Sequence, residues 1–188
     1  VLNTATVSAG DTVVIFGAGG VGLNAISGAL IAGASRIVVI DIQPKRLDVA
    51  KQFGATDVID SSQTNPVEAV RDLLPRGADH VFDFVGLKQV AEQGLAMLSV
   101  GGGLYLVGVA KPEVSIELNI FDAIGRQKRV QGVNLGSTNF KRDIPMYVEV
   151  YLQGRINLDD LVSKRIALRD VNDGYAALKD GSLNRVVI

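Results

Sequence analysis

An α/β chain built on one doubly wound, six-stranded parallel sheet follows from two observations. Short β-branched runs alternate with stretches of helical period over most of the 188 residues, and the connections between them are brief. The runs are also apolar throughout, as strands covered on both faces must be. A short extension of helix and strand character closes the chain.

Residues 13–16, Val-Val-Ile-Phe, are the first strand. A helix over 21–32 carries Leu23, Ile26, Leu30 and Ile31 on its inner side, and Gly33 stops it. Residues 36–40 form the second strand. Pro44 suits the first position of the second helix, where a missing N–H is harmless. Leu47, Ala50 and Phe53 give that helix its apolar stripe, and Gly54 ends it. Val58 and Ile59 read as the third strand. Asn65-Pro66 is a cap followed by a first helical residue, and Val67, Val70, Leu73 and Leu74 line one face of the third helix. A fourth strand over 81–85 precedes a helix marked by Val90, Gly94, Leu95 and Leu98. Gly101-Gly102-Gly103 reads as a turn into a fifth strand over 104–109.

Beyond Lys111-Pro112 the pattern changes. Val114, Ile116, Leu118 and Ile120 alternate with Ser115, Glu117 and Asn119, the period of a half-covered strand. Residues 129–135 supply the sixth strand. Helices follow over 140–153 and 171–179, the second capped by Asp170, and an apolar run over 183–188 ends the chain. The division expected is a domain over 1–136 and an extension over 137–188.

The first crossover carries the chemistry. Gly17-Ala18-Gly19-Gly20-Val21-Gly22 is a G-x-G-x-x-G loop between a strand and a helix, the dinucleotide-binding arrangement of the Rossmann fold. Gly17 allows the tight turn, Gly19 lets a pyrophosphate approach the backbone, and Gly22 lets the helix pack against the strand. The helix opening there aims unpaired N–H groups and its positive dipole end at an anion. Asp41 closes the second strand about 20 residues past the loop, where the fingerprint wants an acid. A carboxylate there accepts hydrogen bonds from both adenosine ribose hydroxyls and repels a 2′-phosphate. At about 4 Å that repulsion is about 1 kcal/mol per unit charge in water and about 4 kcal/mol in a shielded cleft. Ile42 and Gln43 offer no arginine to reverse the preference, so NAD is expected. The alternative role for Asp41 is to cap the helix that begins at Pro44.

Composition narrows the rest. A net charge of −1 gives no basic field for nucleic acid or an anionic membrane. The apolar runs are too short to span a bilayer. The lack of cysteine and of a leader fits the cytoplasm. With no Cys and only His80, the chain cannot build a zinc site of three or four nitrogen or sulfur ligands. His80 beside Asp79 reads as structural, and Asp83 and Glu117 read as strand-end and surface carboxylates. No residue is therefore assigned to catalysis. The chain starts at Val1 tight against the first strand, which reads as a piece of something longer.

The order of these elements resembles the coenzyme domain of the medium-chain, zinc-dependent alcohol dehydrogenases. The likeness is carried by Ala9-Gly10-Asp11, the Gly17–Gly22 loop, Val39-Ile40-Asp41-Ile42 and Phe53-Gly54-Ala55-Thr56. It continues through Gly77-Ala78-Asp79, Gly101-Gly102, Val107-Gly108-Val109 and the ending over 175–188. Residues 152–161 look most like members acting on primary alcohols and on the hydroxymethyl adduct of a thiol. The resemblance implies that Gly17, Gly19, Gly20, Val21 and Gly22 hold the pyrophosphate. Asp41, Ile42 and Arg46 would stand at the adenosine ribose, and Val107 and Val109 on the nicotinamide side. Backbone around Val133 and Leu135 would hold the carboxamide, and Arg185 would reach back to the pyrophosphate. It also implies that zinc, the proton relay and most of the substrate pocket belong to a preceding domain absent from this sequence. Parts of 137–188 would then be loosely held, re-paired or exposed.

Two other functions fit parts of the same sequence. One is a zinc-free reductase of the superfamily resembling quinone oxidoreductases, which usually prefer NADPH and lack an acid at the position of Asp41. The other is a non-catalytic domain that senses NAD, against which the tail over 121–188 argues. The alternating run over 114–119 suits an edge strand that pairs with its symmetry mate, so a homodimer is expected.

Overall fold

β1 (Thr12–Phe16) lies inside a six-stranded, wholly parallel sheet. β2 (Arg36–Asp41) and β3 (Asp57–Asp60) lie to one side; β4 (Ala78–Asp83), β5 (Leu98–Leu106) and β6 (Arg129–Gly132) lie to the other. Their spatial order is β3-β2-β1-β4-β5-β6. In this computed structural model residues 1–179, 183 and 185–188 are described, and they divide into units Val1–Thr138 and Asn139–Ile188.

Five helices belong to the first unit: α1 (Gly20–Ala32), α2 (Pro44–Gln52), α3 (Pro66–Leu73), α4 (Lys88–Met97) and α5 (Ile120–Gly125). Pro44 and Pro66 open their helices, and the Asn65 side chain accepts the Val67 N–H at 3.0 Å, as the sequence predicts. One face of the sheet buries Val14, Phe16, Val38, Ile40, Val81 and Leu104 against Val70 of α3 and Ala91 and Leu95 of α4. The chain builds outward from β1 to β3, then crosses back to β4 beside β1. That reversal opens a crevice at the carboxyl ends of β1 and β4, where ligands settle in such sheets. Register levels the crevice floor, because Phe16 pairs with both Ile40 and Asp83.

Several expectations shift at element ends. Leu30 is 45% exposed, since it sits at the rim of the α1 stripe and leans over Gly54. β4 stops at Asp83, leaving Phe84 and Val85 in the following turn. β5 runs through the triple glycine instead of starting after it. Its register with β4 slips between Ala78 and His80, and Gly101 takes φ +77° there, so the expected turn is an irregularity inside a strand. It ends at Leu106 because the Val107 and Gly108 N–H groups both turn to the Asp83 carbonyl, at 2.9 and 2.8 Å. Residues 114–119 are not a strand. They have no regular structure and run beside α4, with Ile116 leaning on the core and the Glu117 N–H bonded to Glu92 at 3.0 Å. β6 ends at Gly132, and a 3₁₀ turn, Leu135–Ser137, with positive φ at all three residues replaces its expected tip.

The second unit contains α6 (Phe140–Leu152), β7 (Lys164–Arg165), α7 (Val171–Lys179) and β8 (Val186–Val187), with β7 and β8 paired in parallel. Asp170 ends a 3₁₀ turn directly before α7. Of the run expected over 183–188, Asn184 lies outside the described residues, as do residues 180–182 within the ending over 175–188.

Candidate functional site

The crevice at the topological switch point is a cleft of about 390 Å³. Gly17, Gly19, Gly20, Val21, Gly22, Asp41, Ile42 and Arg46 all line it, so the fold brings together eight residues that the sequence singled out. Phe16, Ile40 and Val90 form its apolar floor, and Ser61, Phe84, Val85 and Leu87 also line it. These last four carry no motif; the only available signal was their position just past β3 and β4.

The three fingerprint glycines answer to different demands. Gly17 has φ +94° and donates its N–H to the Ile40 carbonyl at 2.8 Å, which turns the chain sharply over the tip of β2. A Cβ on Gly22 would stand 1.9 Å from the Gly17 carbonyl oxygen, so any side chain there collides with the loop itself. Gly19 is different. Its φ of −78° suits any residue, and an added Cβ would meet nothing within 4 Å. The fold does not require a glycine at that place, whereas a ligand pressed against the backbone does.

Gly19 is also the N-cap of α1 and has no side chain to satisfy the first turn. The N–H groups of Gly20, Val21 and Gly22 have no acceptor carbonyl within the helix, so they and the helix dipole offer a site for an anion. Exposed Val21, Ile42 and Leu87 give the rest of the cleft apolar walls. A diphosphate between two flat, partly apolar groups matches that distribution of donors and hydrocarbon.

Asp41 is 7% exposed at the tip of β2. One carboxylate oxygen accepts the Ala18 N–H at 2.8 Å and the other accepts the Gln43 N–H at 3.0 Å. Arg46, in the first turn of α2, places Nη1 3.9 Å from Asp41, and its Nε is buried without a hydrogen-bond partner among the described residues. Asp83, buried at the end of β4, accepts the Val85 and Gly86 N–H groups at 2.8 and 3.0 Å on one oxygen and so shapes the turn that carries the Phe84 and Val85 side of the cleft.

The remaining residues singled out by the sequence lie elsewhere. Val107 and Val109 follow the end of β5, and Val109 is almost fully exposed. Val133 follows β6 and donates to the Leu106 carbonyl at 2.9 Å; Leu135 starts the 3₁₀ turn and is exposed. None of these four lines the cleft. Arg185 belongs to the second unit, where its backbone N–H faces the Ser163 hydroxyl at 3.3 Å. His80 is buried at the far end of β4, with Nε2 3.0 Å from an Asp11 oxygen.

Residues 20–150 match the family model described as "Zinc-binding dehydrogenase". The chain is 36% identical, over its whole length and 50% of the relative's, to "Probable S-(hydroxymethyl)glutathione dehydrogenase 1" of Schizosaccharomyces pombe. Among solved structures it resembles benzyl alcohol dehydrogenase from Acinetobacter calcoaceticus, with a TM-score of 0.95 and 31% identity over 98% of this chain and 51% of that one. It also resembles a structure from Sinorhizobium meliloti 1021 bound to NADP, with a TM-score of 0.82 and 29% identity over 89% of this chain and 48% of that one. The chain spans about half the length of the curated relatives it matches.

Proposed function

Because the chain belongs to the zinc-binding dehydrogenase family, we propose that it is the NAD-binding part of a zinc-dependent alcohol dehydrogenase. The whole protein would oxidise a primary alcohol or the hydroxymethyl adduct of a thiol by transferring hydride to the nicotinamide. The observation that carries this reading is Gly19 at the head of a helix with unpaired donors, where an ordinary φ and open space leave the main chain accessible to a ligand.

NAD rather than its 2′-phosphorylated form is supported by the Asp41 carboxylate at the tip of β2, beside which a second negative charge is unfavourable. Arg46 offsets part of that charge and offers donors to the ribose oxygens. In this reading Val107 and Val109 flank the nicotinamide and backbone at Val133 and Leu135 holds its carboxamide. Arg185 supplies a fork of donors to the pyrophosphate. Zinc would polarise the alcohol oxygen. Its ligands would lie in the part of the relatives that this chain does not span, since no cluster of three His, Cys, Asp or Glu side chains occurs among the described residues.

The chain alone would bind the cofactor weakly and turn over nothing. A homodimer joined through residues 114–119 and a cytoplasmic location belong to the same reading. No helix among the described residues is long and apolar enough to cross a membrane.

Nicotinamide fluorescence during titration with NADH and NADPH tests the binding. Saturation with NADH at submillimolar concentration, and at least tenfold weaker binding of NADPH, is the expected result. No response to millimolar NADH would overturn it. Reduced cofactor appearing from NAD, ethanol and zinc would refute the expected inactivity of this chain. A one-chain mass by light scattering at micromolar concentration would refute the dimer.

A further inference from the structure

Asp41 does more in this cleft than face a ribose. Its two oxygens are engaged by backbone on both sides of the switch point: Oδ2 takes the N–H of Ala18, the second residue of the glycine loop, and Oδ1 takes the N–H of Gln43, just before α2. Ala18 is fully buried, so its N–H has no water to turn to if the carboxylate is lost. The main chain at the same strand tip holds the neighbouring loop residue through Gly17 N–H to the Ile40 carbonyl at 2.8 Å. The carbonyl of Asp41 itself accepts the Ser61 N–H at 3.1 Å, tying the turn after β3 to the same point.

We propose that Asp41 is a positioning residue for the pyrophosphate loop, independent of any contact it makes with the adenosine ribose. By fixing Ala18 it fixes the path from Gly17 to Gly19, and hence the direction of the unpaired N–H groups at the head of α1. By fixing Gln43 it sets the start of α2 and the place of Arg46. One side chain therefore links the loop that would hold the phosphates to the helix turn that would hold the sugar. Replacing it to change cofactor preference disturbs the phosphate half of the site as well.

This inference rests on the proposed dinucleotide binding, and one experiment separates the two. The probes are NADH and an NADH analogue whose adenosine ribose lacks both the 2′ and 3′ hydroxyls. Binding is read by nicotinamide fluorescence in the 188-residue chain and in Asp41→Ala and Asp41→Asn. Amide hydrogen exchange at Ala18 is followed without ligand. A carboxylate that acts only through the ribose leaves the analogue's affinity the same in wild type and Asp41→Ala. A positioning carboxylate costs the analogue about tenfold in Asp41→Ala and speeds Ala18 exchange at least tenfold, with the amides of Val14 and Ile15 unchanged. Asp41→Asn keeps one acceptor oxygen and falls between the two. If Asp41→Ala does not fold, Asp41→Asn decides alone, because unchanged exchange at Ala18 together with unchanged analogue affinity would overturn the proposal. If wild type binds neither probe, dinucleotide binding fails, and exchange at Ala18 still decides whether Asp41 holds the loop.

Discussion

The two ends of one sheet are built from the same residue types to opposite effect. At the carboxyl ends of the strands, Gly19 faces open space and the first turn of α1 leaves donors unmatched. At the amino ends, Gly10 and Gly101 stand in open space but take positive φ, which the backbone there requires, and Gly77 and Gly102 are boxed in. A Cβ on Gly77, which has φ +88°, would come within 2.7 Å of backbone at residues 97–99, and one on Gly102 would stand 2.8 Å from the Ala78 carbonyl. Polar groups there satisfy one another. Asp79 accepts the Thr12 N–H and hydroxyl at 2.9 and 2.8 Å and the Ser99 hydroxyl at 3.2 Å, while Asp11 takes the Ser8 N–H and faces His80. His80 Nδ1 is the buried exception.

The amino end also holds the larger hollow, about 740 Å³ against about 390 Å³. Size therefore does not pick out the binding end. What separates the two ends is whether their glycines and donors are accounted for by the protein itself.

The hardest test of that distinction is Gly22, which lies at the binding end and yet answers to the fold. Gly22→Ala must displace the Gly17 carbonyl and is expected to cost upwards of about 3 kcal/mol, or to prevent folding. A thermal midpoint within 3 °C of wild type would show that the loop yields and that the clash is harmless. Gly77→Ala comes next, at about 2–4 kcal/mol from its positive φ together with backbone contact. Once folded, it should bind NADH with unchanged Kd. A tenfold loss of affinity from that site would break the comparison, because the amino end would then matter to the ligand. Gly19→Ala reverses the signature. It should cost no more than about 1 kcal/mol, chiefly through a poorer N-cap, and weaken NADH at least tenfold in the same titration.

Much of this contrast was legible in the sequence because glycine spacing and strand tips are local. The loop, Asp41, Pro44 and the Asn65-Pro66 cap each depend on neighbours within a few residues, and each lies where its local chemistry demands. The bond from Asp41 to Ala18 joins residues 23 apart in sequence and depends on β1 and β2 lying in register, which no pattern announces. Phe84, Val85 and Leu87 look like ordinary apolar residues until the switch point turns them toward the cleft. The alternation over 114–119 misled for a related reason. A period of two suggests an extended chain with one face covered, but here only Ile116 leans on the core, Val114 and Leu118 stay exposed, and the Glu117 N–H turns to Glu92 of α4. A triple glycine has the composition of a turn, and an irregularity inside a strand uses the same residues.

The smallest expected effect concerns acid, and it tests whether the amino end is structural only. Burial raises the pKa of Asp79, but the backbone and hydroxyl of Thr12, the Ser99 hydroxyl and nearby His80 outweigh it and hold the group below the ordinary 3.8. A carboxyl depressed in the folded state contributes stability above its unfolded value of about 3.9, and that contribution disappears as pH falls through the lower folded value. Asp79→Asn should therefore be less stable than wild type at pH 6, with the gap narrowing as pH falls below about 4. The group is only partly buried, so solvent screening keeps the gap to about 1 kcal/mol or less. Urea midpoints at pH 6, 5, 4 and 3 would measure it. A gap that stays constant down to pH 3 would mean that lost packing, not charge, is what Asp79 supplies. A changed Kd for NADH at pH 7 would show instead that the two ends of the strands communicate.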